Sequence, residues 1–366
     1  MSDTAIYVHV PFCRSKCGYC DFYSSPDASC ADAYCAELKR RLAARKSGDT
    51  VRSVYFGGGT PTCLGAKRLC DILKTVKENF TLSDDCEITA EANPGTVDLN
   101  GLSAMRKAGF DRLSAGIQTA NEDELKALGR VSHTVSDGVK LVRNARAAGF
   151  TNISLDLMYG IPRQTKDSLD RSLDHVLSLD PEHISAYALK LEENTPLFRQ
   201  KPVLPDDDTV ADMYARINGT LKKSGYHRYE ISNFAKPGFE SRHNLRYWLG
   251  GDYIGFGPSA ASLAGNVRYL QAPDIGSFLD GKAPDIVEEL DAAGREAEFI
   301  MLRLRLSEGI GKAEYREKFH ADFDKKYGKQ TEKYVKGGFA ADTEDRFYLT
   351  DRGAFVSNTI IADLIY

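Results

Sequence analysis

A chain of 366 residues, 42% hydrophobic and 27% charged, has the composition of a globular protein and the length for two or three domains. Its net charge of −4 excludes a global basic field for nucleic acid or anionic membrane. No apolar run approaches the roughly twenty residues that cross a bilayer, and Met1-Ser2-Asp3-Thr4 lacks the basic and apolar regions of a signal peptide, so a cytoplasmic location is expected.

Residues 6–10 read as a short strand ended by Pro11, followed at once by Cys13-Arg14-Ser15-Lys16-Cys17-Gly18-Tyr19-Cys20. Residues 31–46 show helical periodicity, with Tyr34, Leu38 and Leu42 on one face. A second strand at 54–56 runs into Gly57-Gly58-Gly59-Thr60-Pro61, and a helix over 64–80 follows. A strand at 87–90 ends at Glu91-Ala92-Asn93-Pro94, and a helix over 99–108 is stopped by Gly109. Strands at 112–115, 153–157 and 183–188 alternate with helices over 135–148 and 169–179. Six strands alternating with helices predict βαβ units and a parallel sheet.

In such folds the residues just past the strand C-termini line the site. That rule selects the cysteine loop, the glycine triplet, Glu91, Gln118, Asp156 and Tyr187-Ala188. Further on, a helix over 209–224 begins after Pro205-Asp206-Asp207-Asp208 with good N-capping chemistry. Ser241 to Trp248 reads SRHNLRYW, and Gly250 to Ser259 reads as a glycine-rich turn that would close over a ligand. From residue 285 the chain is helical and charged, with helices at 297–306 and 312–323, a strand at 346–349 and a last helix.

Three thiols spaced three and then two residues apart can share one inorganic cluster from a single loop. A [4Fe–4S] cube normally takes four cysteines, but Phe22 stands where a fourth would follow. One iron would then keep a free position, as a catalytic zinc does. A zinc site would want a fourth Cys or His, and His9 lies on the strand side. Disulfides suit a small secreted chain. Cys30, Cys35, Cys63, Cys70 and Cys86 are scattered singly and read as small buried residues or free thiols.

The other candidates each have two readings. Gly58 and Gly59 would let backbone approach a ligand or simply make a turn. Glu91 suits ribose hydroxyls or a solvated loop, and Gln118 and Asp156 share that ambiguity. Arg130 would pair with a carboxylate or sit on the surface. Tyr7 and Tyr19 would shield a cluster, stack on an adenine, or be core and loop aromatics. His243, beside Tyr247 and Trp248, is an axial ligand type for haem iron or a histidine satisfied in a core.

The CxxxCxxC spacing with the GGTP stretch resembles the radical S-adenosylmethionine (SAM) family. The resemblance implies a partial (β/α)6 barrel with a C-terminal, mostly helical, winged-helix-like domain. It implies a [4Fe–4S] cluster on Cys13, Cys17 and Cys20, whose free iron chelates the amino and carboxylate groups of SAM. One-electron cleavage of a C–S bond would release a 5′-deoxyadenosyl radical. The pattern of oxygen-independent coproporphyrinogen III oxidase and its relatives carries SAM contacts onto Tyr7, Tyr19, Gly58, Gly59, Thr60, Glu91, Gln118, Arg130, Asp156 and Ala188.

The HNxxYW stretch resembles the haem chaperone branch of that family, which implies haem on His243. Phe22 and the short lead into the first strand agree, because the oxidase branch carries a fourth Cys there and a longer N-terminal extension. Ala261 stands where many relatives have a His; if that His helps hold a tetrapyrrole, haem affinity here would differ. The expected domains are 1–235 (barrel), 236–285 (connecting segment with HNxxYW) and 286–366 (C-terminal domain, structural or partner-docking rather than DNA-binding). The implied activity is haem binding and delivery, with tetrapyrrole, apo-haemoprotein recipients and an electron donor as partners, no nucleic acid, and membrane contact only through recipients. Decarboxylation of two propionates of coproporphyrinogen III to give protoporphyrinogen IX is the alternative.

Overall fold

The computed structural model of the chain describes residues 3–45 and 48–366; the expected end of the first helix at Lys46 lies outside them. The first half alternates β1 (Asp3–Val10), α1 (Ala31–Ala44), β2 (Thr50–Gly58), α2 (Ala66–Asn79), β3 (Thr81–Ala92), α3 (Leu99–Ala108) and β4 (Arg112–Gln118). It continues with α4 (Glu122–Ala127), α5 (Val135–Ala147), β5 (Asn152–Tyr159), α6 (Lys166–Ser178) and β6 (His183–Ala188). Strands β1 to β6 pair in chain order, each parallel to the next. The expected six-stranded α/β unit is present.

The period of two explains its cross-section. On β4, Leu113, Ala115 and Ile117 join the apolar core under the helices, whereas Arg112, Ser114, Gly116 and Gln118 line a cavity on the other face. Tyr55, Glu91, Asp156, Ser185 and Tyr187 line the same cavity from the neighbouring strands. The strands therefore carry an apolar outer layer and a polar lumen. Local sequence sets the helix starts. Thr134 with Asp137 and Thr165 with Ser168 form capping boxes on α5 and α6.

Beyond β6 come α7 (Pro196–Gln200), α8 (Asp207–Lys223), β7 (His227–Arg228), β8 (Asn233–Ala235), α9 (Arg242–Trp248), β9 (Tyr253–Phe256), β10 (Ala261–Ala264), β11 (Val267–Leu270), α10 (Ile275–Leu279) and β12 (Asp285–Glu289). These extend both edges of the barrel sheet, giving the order β12-β11-β10-β9-β1-β2-β3-β4-β5-β6-β8-β7. The Gly250 to Ser259 stretch is thus no lid. Its Tyr253–Phe256 core is β9, parallel to β1 with Tyr7 opposite Gly255. Aromatic and β-branched residues between glycines form a strand there because β1 offers an open edge.

The C-terminal unit comprises α11 (Ala292–Arg305), β13 (Ile310–Gly311), α12 (Lys312–Phe319), α13 (Phe323–Lys336), β14 (Ala340–Asp342), β15 (Arg346–Leu349), α14 (Asp351–Phe355) and α15 (Ser357–Ile365). It has its own three-stranded sheet, β13-β15-β14, and its own core around Phe299, Tyr315, Phe323 and Phe347. The single helix expected over 312–323 is two, because His320 takes a left-handed φ of 53° and ends α12. Arg303 joins this unit to the barrel, donating from Nη1 to the Trp248 carbonyl at 2.7 Å. No helix among the described residues is long and apolar enough to cross a membrane.

Candidate cofactor site

The cysteine loop follows β1 and is pinned on three sides by backbone bonds. Cys13 N donates to the Ser25 carbonyl at 3.0 Å, Gly18 N to the Leu128 carbonyl at 2.9 Å, and Leu197 N to the Gly18 carbonyl at 2.7 Å. All three thiols are free, partly exposed, and face one cavity of about 660 Å³. No three His, Cys, Asp or Glu side chains among the described residues converge closely enough for a single ion. A cube asks for something different, since each thiolate takes its own iron. Three thiols along one wall, with no fourth beside them at Phe22, fit a cluster with one open iron.

The glycine turn meets the loop by close packing. Gly58 has φ +108°, and a Cβ there would lie 2.7 Å from the His9 ring. His9 cannot yield, because Nε2 lies 2.9 Å from the Tyr23 carbonyl and Nδ1 3.2 Å from the Tyr7 hydroxyl. A Cβ on Gly59 would meet the Phe12 carbonyl at 2.7 Å. Only bare backbone fits between the strand and the cysteine loop.

A polar chain then ties the rim residues together. The Cys13 Sγ lies 3.3 Å from the Thr60 hydroxyl, which accepts from Asn93 Nδ2 at 2.7 Å. Asn93 Oδ1 in turn accepts from Arg130 Nη2 at 2.8 Å. Arg130 Nη2 also donates to the Gly116 carbonyl at 2.9 Å, and Nη1 donates to the Tyr19 hydroxyl at 3.2 Å and approaches the Cys17 Sγ at 3.7 Å. Arg130 is 5% exposed, so it is no surface charge. Asn93 holds the chain together, although the sequence shows it only as the residue before a proline.

Lower in the lumen, Tyr55 donates to Glu91 Oε1 at 2.7 Å. Burial pushes the Glu91 carboxyl up to about 7, with the Tyr55 bond opposing and Asp156 adding to the rise. Burial likewise raises Asp156 to about 6 against the pull of Arg112. Gln118 has a left-handed φ of 69°, a strained backbone for a non-glycine residue, and its Oε1 accepts from the Tyr187 hydroxyl at 2.9 Å. Cys13, Cys17, Cys20, Tyr19, Gly58, Gly59, Thr60, Glu91, Gln118, Arg130, Asp156 and Ala188 thus share one cavity.

Two expected site residues stand elsewhere. Tyr7 is half-buried behind the wall, with its ring 6.2 Å from that of Tyr55 and 6.3 Å from that of His243. His243 is 1% exposed, and its ring stacks on Tyr55 at 5.0 Å. Its Nδ1 lies 2.9 Å from the Ser53 Oγ and its Nε2 2.8 Å from the Tyr247 hydroxyl. Burial, aided by Arg112, lowers the imidazole to about 3, so it is neutral. In this conformation His243 is a histidine satisfied in a core and presents no open nitrogen. Ala261 opens β10.

Comparison with known proteins agrees with this geometry. Residues 7–176 match the radical SAM superfamily, and residues 290–356 match the HemN C-terminal domain. The heme chaperone HemW of Mycobacterium tuberculosis is 34% identical over 98% of this chain and 94% of its own length. The heme chaperones HemW of Bacillus subtilis (34%, 97% of each chain) and Escherichia coli K12 (32%, 98% and 97%) are similarly close. The fold matches coproporphyrinogen III oxidase (HemN) from Escherichia coli with a TM-score of 0.88 at 24% identity, over 99% of this chain and 90% of that one. Full-length likeness to several curated chaperones, on a barrel whose three-thiol loop and glycine turn share one cavity, is decisive: this chain belongs to the HemW family of radical SAM proteins.

Proposed function

We propose that the chain is a haem chaperone: it binds haem and delivers it to apo-haemoproteins, with a [4Fe–4S] cluster on Cys13, Cys17 and Cys20 and SAM on the cavity rim. The observation that supports it best is identity of 32–34% along nearly the whole length to curated heme chaperones. When bound, the cluster and SAM together supply one-electron chemistry at the sulfonium. The chain's own residues orient and enclose. The Thr60–Asn93–Arg130 chain sets a guanidinium beside the cysteine loop, where it suits the SAM carboxylate. Glu91 and Asp156 suit the ribose hydroxyls, and Gln118, held by Tyr187, suits the same ligand.

To hold haem iron, His243 would have to give up the Tyr247 hydroxyl at Nε2. The Ser53 Oγ at Nδ1 then fixes the tautomer that leaves Nε2 free. The recipients are apo-haemoproteins, a low-potential donor supplies the electron, and the protein works in the cytoplasm, meeting membranes only through recipients.

The test is a haem titration of the anaerobically reconstituted protein beside His243→Ala. Saturation at about one haem per chain, as one axial ligand requires, and weakened by the substitution, is the expected outcome. Absence of saturable binding, with stoichiometric conversion of coproporphyrinogen III to protoporphyrinogen IX in the same preparation, would replace the chaperone by the oxidase.

A further inference from the structure

The cavity holds a buried cation that the SAM-binding reading does not use. Arg112 begins β4, opposite Thr89 on β3 and Asn152 on β5. Glu91 is opposite Ser114 and Asp156 opposite Gly116, one and two pleats nearer the rim. A strand advances about 3.3 Å per residue, so an extended arginine side chain rising from Arg112 brings its guanidinium to just beneath the two carboxylates. Arg112 lines the cavity and is 2% exposed, the largest of the fully buried side chains.

Its guanidinium is less engaged than that of Arg130. Arg130, buried to a similar degree, spends its Nη atoms on four acceptors. The Nε of Arg112 lacks a partner, as does that of Arg130, so the difference lies in the Nη atoms. No hydrogen bond or ion pair is formed by either of its Nη atoms among the described residues. Taking a cation out of water is costly unless it is paired. Glu91 and Asp156 act on it only at longer range, and the charge of Arg112 helps to keep the buried His183 and His243 neutral. Tyr55, Ser185, Ser232 and Asn244 complete this end of the cavity, and none of them is an acid. Among the described residues, no carboxylate pairs with it directly.

We propose that Arg112 is the anchor for a carboxylate arm of the tetrapyrrole, drawing one propionate into the lumen beneath the SAM ribose. The inference rests on the haem-binding reading above, not on iron at His243, and adds to it a residue and a ligand group. A propionate has the reach of a side arm, so the macrocycle stays toward the mouth, where Phe22 and Tyr19 line the same cavity. An arginine suits this role because its planar fork takes both oxygens of a carboxylate.

The test uses the anaerobically reconstituted, SAM-loaded full chain and two ligands, haem and haem dimethyl ester. Wild type binds haem about 10- to 100-fold more tightly than the diester, the range of one or two charge-assisted bonds. Arg112→Gln brings haem down to the affinity of the diester, and Arg112→Lys retains part of the preference. Equal binding of the two ligands by wild type overturns the anchor and leaves the haem reading standing; this comparison needs no variant to fold. Full preference retained in both variants also overturns it. Wild type that saturates with neither ligand overturns the haem reading and the anchor with it.

Discussion

Gly58→Ala puts the packing of the glycine turn to a quantitative test. Gly58 has φ +108°, and an added Cβ would stand 2.7–2.8 Å from three atoms of the His9 ring. The backbone part costs about 1–2 kcal/mol, because an alanine in left-handed backbone crowds its own carbonyl. The steric part costs about 1–3 kcal/mol, the usual range for overpacking, since His9 is held by Tyr23 and Tyr7. Together the loss is about 2–5 kcal/mol. Urea unfolding of the cluster-free protein, followed by far-UV circular dichroism, measures it. A double-mutant cycle separates the two parts. In a His9→Ala background the ring is gone, so Gly58→Ala costs only the backbone part. A loss under about 0.5 kcal/mol, or equal losses in the two backgrounds, would show that His9 does not fix this turn.

Other outcomes follow from the same geometry. Glu91 and Asp156 are raised by burial to about 7 and about 6, and their ionised forms are the better acceptors for ribose hydroxyls. SAM binding therefore releases protons and strengthens with rising pH, by about tenfold between pH 6 and pH 8 from Glu91 alone; calorimetry showing a flat profile would exclude ionised Glu91 as the acceptor. Asn93→Ala removes one partner from both Thr60 and Arg130, each of which keeps another, and weakens SAM by roughly tenfold, the scale of one lost hydrogen bond to a charged group at about 1.5 kcal/mol. Tyr247→Phe frees the His243 Nε2 and tightens haem roughly two- to tenfold; unchanged haem affinity would mean that iron does not go to that nitrogen.

The barrel half was legible because each of its strands ends in a turn with a recognisable chemical character. Glu91, Gln118 and Asp156 could be placed on one rim by counting strands alone, and all three line the cavity. The partners of His243 could not. Ser53 is 190 residues away in sequence, and nothing in HNxxYW itself says that both ring nitrogens are taken. Arg112 opens a strand, where a charged residue ordinarily reaches solvent, and only the register reveals that it points into the lumen. Asn93 was hidden by the proline after it. Strands β9 to β12 are short and bracketed by glycines and charges, so their pairing depends on the free edge of β1 rather than on their own pattern.

Transfer is the most direct test of the central proposal. The reconstituted protein would be loaded with one equivalent of haem, freed of excess, and mixed anaerobically with an apo-haemoprotein, while the absorbance of the recipient and its activity are followed. The account predicts that the recipient fills at the expense of the donor, and that a Cys13→Ser, Cys17→Ser, Cys20→Ser triple variant, which cannot hold the cluster, transfers less. Haem that stays on the loaded chain, or a recipient that fills no faster than from free haem, would contradict delivery as the function.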